Sequence, residues 1–376
     1  MNKSKTTGQV SFWRGILYSL VIVATLLGGT EIVLRLWANY FRVAYLTYDP
    51  VRGRPALVPN ARVQNSTEHV AINSKGFVGP EFDKKKPADT LRVIALGDSC
   101  TFAGGWYDIT YSGLLARFLK DRHPDKRIEV INAGISGFNS EFALARLRDE
   151  LLEYQPDLVT LYIGWNDMMK TNPANLAAIR QYEYGGLWRA LNESYLLKLY
   201  SKVLFYYLRP LLMKPKLDGD PEGVSAFDHF VPAVYQANVD AIATTLEAQG
   251  VRALFMTRPT AVRLGMTQND IDQEHIFFPY FAGAYSLERF LSLHRSYNRA
   301  MEDVAHSRQI PLVDLDSLFN LRKKDSLFQD TMHLNDEGNR VAAEALVEPI
   351  ERVLLLNEPA SQAFDSEGSV RRQRPL

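Results

Sequence analysis

The sequence predicts an α/β protein, a mainly parallel sheet covered by helices on both faces, preceded by one apolar helix. Three observations carry this. Short apolar, β-branched runs recur along the chain and most end in turn residues. Amphipathic helical patterns separate them, and alternating strands and helices are what a parallel sheet requires. Residues 15–37 form a long apolar run whose only charges are Glu31 and Arg35.

The apolar run comes first. A membrane-spanning helix needs roughly 20 apolar residues, and residues 15–37 meet that length. Glu31 and Arg35 are four apart with the acid first, so they share a helix face and can pair. Trp37, Tyr40 and Phe41 follow, as in an interfacial aromatic belt. A buried core helix and a cleaved signal peptide compete with this reading. No A-x-A site closes the run, which favours a retained anchor. Lys3, Lys5 and Arg14 precede it in the tail 1–14, while Arg42, Arg52 and Arg54 follow, so charge nearly balances across it. The expected topology is single-pass, and the charge does not orient it.

Residues 38–90 are rich in turn formers, among them Asp49-Pro50, Pro59-Asn60 and Gly79-Pro80, and read as a linker with short strands or turns. From residue 91 the pattern changes. LRVIALGDS, RIEVINAGISG (127–137), DLVTLYIGWND (157–167), VRALFMTRP (251–259) and QIPLVDLDSLF (309–319) are buried-strand signals. Helical patterns fall at 112–120, 141–152, 233–249, 287–306 and 336–355. The domain is expected over 91–356, interrupted by an insertion at 170–232. Within it, YLLKLYSKVLFYYLRPLLM (195–213) fits a helix packed on the core better than a lid or membrane-surface helix. The tail 357–376 is polar and expected to be disordered.

Composition narrows the function. Lys+Arg and Asp+Glu both number 43, so the 376-residue chain has no net charge and no basic footprint for nucleic acid. Cys100 is the only cysteine, which excludes an intramolecular disulfide.

Ligands of parallel sheets bind beyond the carboxyl ends of the strands, so residues there are the candidates. Gly97-Asp98-Ser99 follows the first strand, where a Ser at a strand-to-helix turn exposes its hydroxyl. The nearby glycines match neither a dinucleotide nor a P-loop motif. Asn132-Ala133-Gly134 follows the second strand; a glycine there lets a backbone N–H approach a ligand. Gly164-Trp165-Asn166-Asp167 follows the third, and an Asn amide can donate to an oxyanion. A general base requires a His held by an acid. Asp272/His275, Asp303/His306 and Asp330/His333 all have the same spacing. Asp330/His333 alone lies after the last strand and before a helix, at the same sheet edge as Ser99.

The segments GDSCTF (97–102), NAG (132–134), GWND (164–167) and DTMH (330–333), in this order, resemble the four sequence blocks of the SGNH (GDSL-like) hydrolase superfamily. NSKGF (73–77) is similar to a segment of its membrane-anchored bacterial members. Cys100 departs from the Leu or Phe common at that position. The resemblance implies a three-layer α/β/α sandwich of flavodoxin-like type. It implies Ser99 as nucleophile, His333 as base and Asp330 as its orienting acid. Ser99, Gly134 and Asn166 would form the oxyanion hole, and Asp98 would have a structural role in the turn. It implies no metal or organic cofactor. The resemblance, rather than the charge, implies that the N-terminus lies inside and the rest is extracytoplasmic (periplasmic or outer face). The expected reaction is hydrolysis of a carboxylic ester through an acyl-enzyme, with an O-acetyl group on an envelope glycan or a lipid ester as candidate substrates. An O-acyltransferase acting on an envelope polysaccharide and a non-catalytic binding or assembly protein are the alternatives.

Overall fold

The computed structural model describes residues 12–41, 45–49, 51–64, 69–170, 194–202, 217, 219–277, 286–322 and 324–354. The expected tail 357–376 and most of the 170–232 insertion lie outside them. The chain divides into two compact units, Met1–Val43 with Ala178–Lys214, and Ala44–Ala177 with Pro215–Leu376.

The smaller unit is built on a helix over Phe12–Phe41. Its stretch Arg14–Leu36 has a mean hydropathy of 2.0, none of it buried, and is long and apolar enough to cross a membrane. The hydroxyls of Thr25 and Thr30 donate to the carbonyls of Val21 and Leu26, 2.8 Å each, so neither is left unsatisfied. Glu31 accepts from Arg35 Nε at 2.7 Å, as the i,i+4 spacing predicts. Its carboxylate also accepts from Ser194 Oγ and the N–H groups of Tyr195 and Leu196 at 2.8–3.0 Å. It thereby caps the helix Tyr195–Lys202. Of the helix expected over 195–213, residues 203–213 lie outside the described residues; the described part packs on the N-terminal helix. A carboxylate on an otherwise apolar helix needs donors, and a helix N-terminus supplies several.

The larger unit opens with two antiparallel hairpins, β1 (Leu46–Asp49) with β2 (Arg54–Leu57), and β3 (Arg62–Gln64) with β4 (His69–Ala71). Sequence alone reads this stretch as a linker. Instead Leu57, Val63, Val70, Ile72 and Phe77 are buried in the main hydrophobic core. Each hairpin strand is only three or four residues long, too short to show an apolar period, and the core is what holds it.

The main sheet has five parallel strands: β5 (Thr90–Gly97), β6 (Arg127–Gly134), β7 (Leu158–Tyr162), β8 (Arg252–Met256) and β9 (Leu312–Val313). Their order is β6-β5-β7-β8-β9. Helices Tyr111–Arg122 and Asp336–Val353 pack together, the first also against β6 and the second against β9. Helices Ser140–Asp149, Ala233–Ala248 and Leu287–Ser307 form a second cluster. β5 and β7 are almost wholly buried, as central strands of a two-sided sheet must be. The edge strand β9 spans only two residues. Asp314 ends the run early by capping the helix Leu315–Asn320, where its side chain accepts from the Ser317 N–H at 3.0 Å.

The strand order reverses direction at β5, with β6 on one side and β7 on the other. Such a switch point leaves a crevice at the carboxyl ends of the strands.

Candidate active site

Register brings the site together. Gly97, the last residue of β5, lies opposite Gly134 of β6 and Tyr162 of β7. The three following loops therefore start at one level of the sheet, at its switch point. Both glycines are required by close packing. A Cβ at Gly97 would sit 2.0 Å from Thr101 Oγ1, and one at Gly134 would sit 2.2 Å from the Phe102 nitrogen. Small residues here let the short helix Ser99–Phe102 press onto the sheet.

That helix is capped by Asp98, whose Oδ1 accepts from the Cys100 N–H at 2.9 Å. Asp98 is fully buried, and burial pushes its carboxyl up to about 6. Ser99 is the first residue of the helix, so its own N–H has no intrahelical acceptor and faces outward from the helix start. Asn132 anchors the other end: its Nδ2 donates to Thr101 O at 2.6 Å and Ser112 Oγ at 3.0 Å. Cys100 is buried, with its thiol 3.5 Å from Met332 O, so it ties the Ser99 helix to the loop carrying His333. Its place in this packing was not evident from sequence.

Of the three Asp-x-x-His pairs, the imidazole of Asp330/His333 reaches Ser99. His333 Nε2 lies 2.8 Å from Ser99 Oγ, and His333 Nδ1 lies 2.7 Å from Asp330 Oδ2. Asp330 Oδ1 accepts from the N–H groups of Met332 and His333, 2.9 Å each. The loop is fixed from behind, where Thr331 O accepts from Thr260 Oγ1 and the Ala261 N–H. Asp303 and His306 lie within the helix Leu287–Ser307. Asp272 instead accepts from Gln268 at 3.1 Å, and His275 ends its short helix in a left-handed backbone conformation.

Electrostatics follow from this geometry. Burial alone would lower the His333 imidazolium's pKa, but the hydrogen bond and charge of Asp330 outweigh it and raise it above the usual value. Burial would conversely raise Asp330, and the contacts with His333 and two backbone N–H groups hold it below the usual carboxylate range. The pair is thus poised with Asp330 ionised and His333 able to accept a proton.

Asn166 is half-buried, and its Nδ2 donates to Phe138 O at 2.6 Å, leaving one amide hydrogen for another acceptor. The Gly134 N–H donates to Asn132 Oδ1 at 2.9 Å, an engagement that sequence could not indicate. Asp167, next in the chain, accepts from Ser140 N and Oγ, and so joins this turn to the start of the helix Ser140–Asp149. Sequence spacing also missed a buried His–acid contact, His123 Nε2 to Glu351 Oε1 at 2.8 Å, because the partners lie on different helices far apart in the chain.

A hydroxyl, an imidazole and a carboxylate in line at the carboxyl edge of a parallel sheet define the constellation of an acyl-transfer hydrolase. The chain belongs to the GDSL-like lipase/acylhydrolase family, whose model matches residues 95–341. This agrees with the resemblance drawn from its four sequence blocks. Similar solved structures include the acetyl xylan esterase AlAXEase, 20% identical over 69% of this chain and 100% of that one, with a TM-score of 0.42. Another is a variant of Axe2, an acetyl xylan esterase from Geobacillus stearothermophilus, 18% identical over 71% and 96%, with a TM-score of 0.42. A third is the lipase/acylhydrolase from Enterococcus faecalis, 16% identical over 69% and 95%, with a TM-score of 0.40. No curated protein matches the chain.

Proposed function

We propose that this family member is a serine ester hydrolase working through an acyl-enzyme on Ser99. The observation that carries the reading is the unbroken Ser99–His333–Asp330 hydrogen-bond chain, with contacts of 2.8 and 2.7 Å. Ser99 Oγ attacks the ester carbonyl while His333 Nε2 takes its proton. Asp330 holds the ring with Nδ1–H facing it, so that Nε2 carries the lone pair. The tetrahedral intermediate collapses as the bond to the alcohol oxygen breaks, and His333 returns the proton to that oxygen. Water then attacks the Ser99 ester, again with His333 as base, and releases the acid.

The oxyanion is received by the Ser99 N–H and the second Nδ2 hydrogen of Asn166. Gly134 contributes once its N–H is shared with, or released from, Asn132 Oδ1. Asp98 acts in the turn, as the cap of the Ser99 helix.

For the substrate we favour an O-acetyl group on a glycan. Trp106, on the loop following Ser99, is 42% exposed and has one face stacked on His69 at 4.8 Å. The exposed part of its ring is a flat apolar surface of the kind on which a sugar ring packs. The helix Arg14–Leu36 would hold the enzyme at a membrane, with the hydrolase on the outer side, where envelope polysaccharide lies.

The test is hydrolysis of p-nitrophenyl acetate and of acetylated oligosaccharides by the purified chain. Ser99→Ala and His333→Ala should abolish both. Full activity in Ser99→Ala would end this reading.

A further inference from the structure

Arg258 lies two residues beyond β8 and is 1% exposed. None of its three guanidinium nitrogens has a hydrogen-bond acceptor among the described residues. Its guanidinium carbon instead lies over three aromatic rings, Trp165 at 5.2 Å, Tyr297 at 5.4 Å and Tyr235 at 5.7 Å. The main chain beneath it is pinned as well. The Arg258 N–H donates to Asn298 Oδ1 at 3.1 Å, and its carbonyl accepts from His294 Nε2 at 2.6 Å. Asp98 and Asp316 feel its charge without hydrogen-bonding to it.

This arrangement has no account in stability. A buried cation without an acceptor is costly, and replacing buried charge by an apolar side chain of similar size is commonly neutral or stabilising. Cation–π attraction offsets part of that cost. What the cage holds is more informative. All three of its walls are fastened to residues 163–167, the loop end and first turn of the helix Trp165–Lys170 that carries Asn166. Trp165 belongs to the turn. The Tyr235 hydroxyl donates to Ile163 O at 3.1 Å, and the Tyr297 hydroxyl donates to Asp167 O at 3.0 Å. The guanidinium also abuts Gly164, at φ 128°, where an added Cβ would lie 3.1 Å from it. The cation therefore sits against Trp165 and against both tyrosines that hydrogen-bond to residues 163–167.

We propose that Arg258 is a positioning residue for the oxyanion hole, its caged guanidinium clamping the Ile163–Asp167 turn so that the Asn166 amide is held ready for the oxyanion. The inference rests on the serine-hydrolase reading above. It adds a residue outside the four sequence blocks that acts on the reaction without touching substrate. A flat cation suits the task because it fits between three ring faces at once and has few rotamers left there.

The test is a double-mutant cycle between Arg258→Met and Asn166→Ala in the full chain, purified in detergent. The readouts are the rate of Ser99 labelling by a fluorophosphonate, kcat and KM for p-nitrophenyl acetate, and the melting temperature. Arg258→Met should slow labelling and kcat at least tenfold, change KM less than threefold, and leave the melting temperature equal or higher. In the Asn166→Ala background the same substitution should cost less than threefold, because the group it positions is gone. Arg258→Lys, which keeps the charge and loses the plane, should be intermediate, and it carries the test if the Met variant melts early. Labelling indifferent to both substitutions, or a loss equally large with and without Asn166, would overturn the inference. If the unsubstituted chain is not labelled at all, the serine-nucleophile reading itself fails.

Discussion

Asp330→Asn separates orientation of the imidazole from mere packing around it. The two oxygens of Asp330 do different work. Oδ1 accepts two backbone N–H groups, from Met332 and His333, while Oδ2 faces His333 Nδ1 at 2.7 Å. An Asn side chain is nearly isosteric, and the two N–H donors will select its carbonyl oxygen for the Oδ1 position. Its NH2 is then forced to face His333 Nδ1, which must present a lone pair. The ring proton moves to Nε2, the atom 2.8 Å from Ser99 Oγ, and the base can no longer accept the serine proton. A wrong tautomer of this kind costs on the order of 10³–10⁴ in kcat. The loss of the Asp330 charge also removes the larger of the two acids that raise His333, leaving Asp98 against burial, so the residual activity should titrate at lower pH than in the parent. The assay is p-nitrophenyl acetate hydrolysis from pH 5 to 9, with melting temperature as the control for folding. Activity within about tenfold of the parent, at an unchanged melting temperature, would refute this reasoning.

Further outcomes follow from the same geometry. In the parent enzyme the acid limb of kcat/KM should lie above pH 6.5, because His333 works unprotonated and its pKa is raised. The sign for stability is opposite: the protonated pair adds stability below pH 6.5 that is lost as pH rises through the raised pKa, so the melting temperature should fall slightly where activity appears. Gly134→Ala places a methyl 2.2 Å from the Phe102 nitrogen. It should destabilise by about 1–3 kcal/mol, read by denaturant titration, and should displace the Ser99 helix enough to lose most activity. Trp106→Ala should raise KM for acetylated oligosaccharides by about three- to tenfold and leave p-nitrophenyl acetate unaffected, the range expected for one lost aromatic contact.

Much of the fold was legible because buried parallel strands advertise themselves. ALG at the end of β5 and LVTLY of β7 are apolar on both faces, and no other role suits such runs between amphipathic helices. The meeting of Ser99, Asp330 and His333 was legible for a related reason: loops at the carboxyl ends of adjacent strands must converge, so position singled out His333 among three equally spaced pairs. The hairpins at 46–71 were not legible, because strands of three or four residues show no period and are held by Leu57, Val63 and Val70 packing on a distant core. Arg258 was invisible for a deeper reason. Its cage joins Trp165, Tyr235 and Tyr297 from three segments, and nothing in Thr257-Arg258-Pro259 marks a cation that will lack an acceptor. The docking of the helix Tyr195–Lys202 on Glu31 was likewise hidden, since a single acid in an apolar run has an adequate local partner in Arg35.

The central claim, that Ser99 is a nucleophile activated by His333, is tested most directly by treating the full chain with a fluorophosphonate and locating the adduct by peptide mass spectrometry. The account predicts one adduct, on Ser99, absent after heat denaturation and slowed at least a hundredfold by His333→Ala, the lower end of about 10²–10⁴ for loss of a general base. An adduct on another residue, or labelling of Ser99 at an unchanged rate without His333, would contradict it.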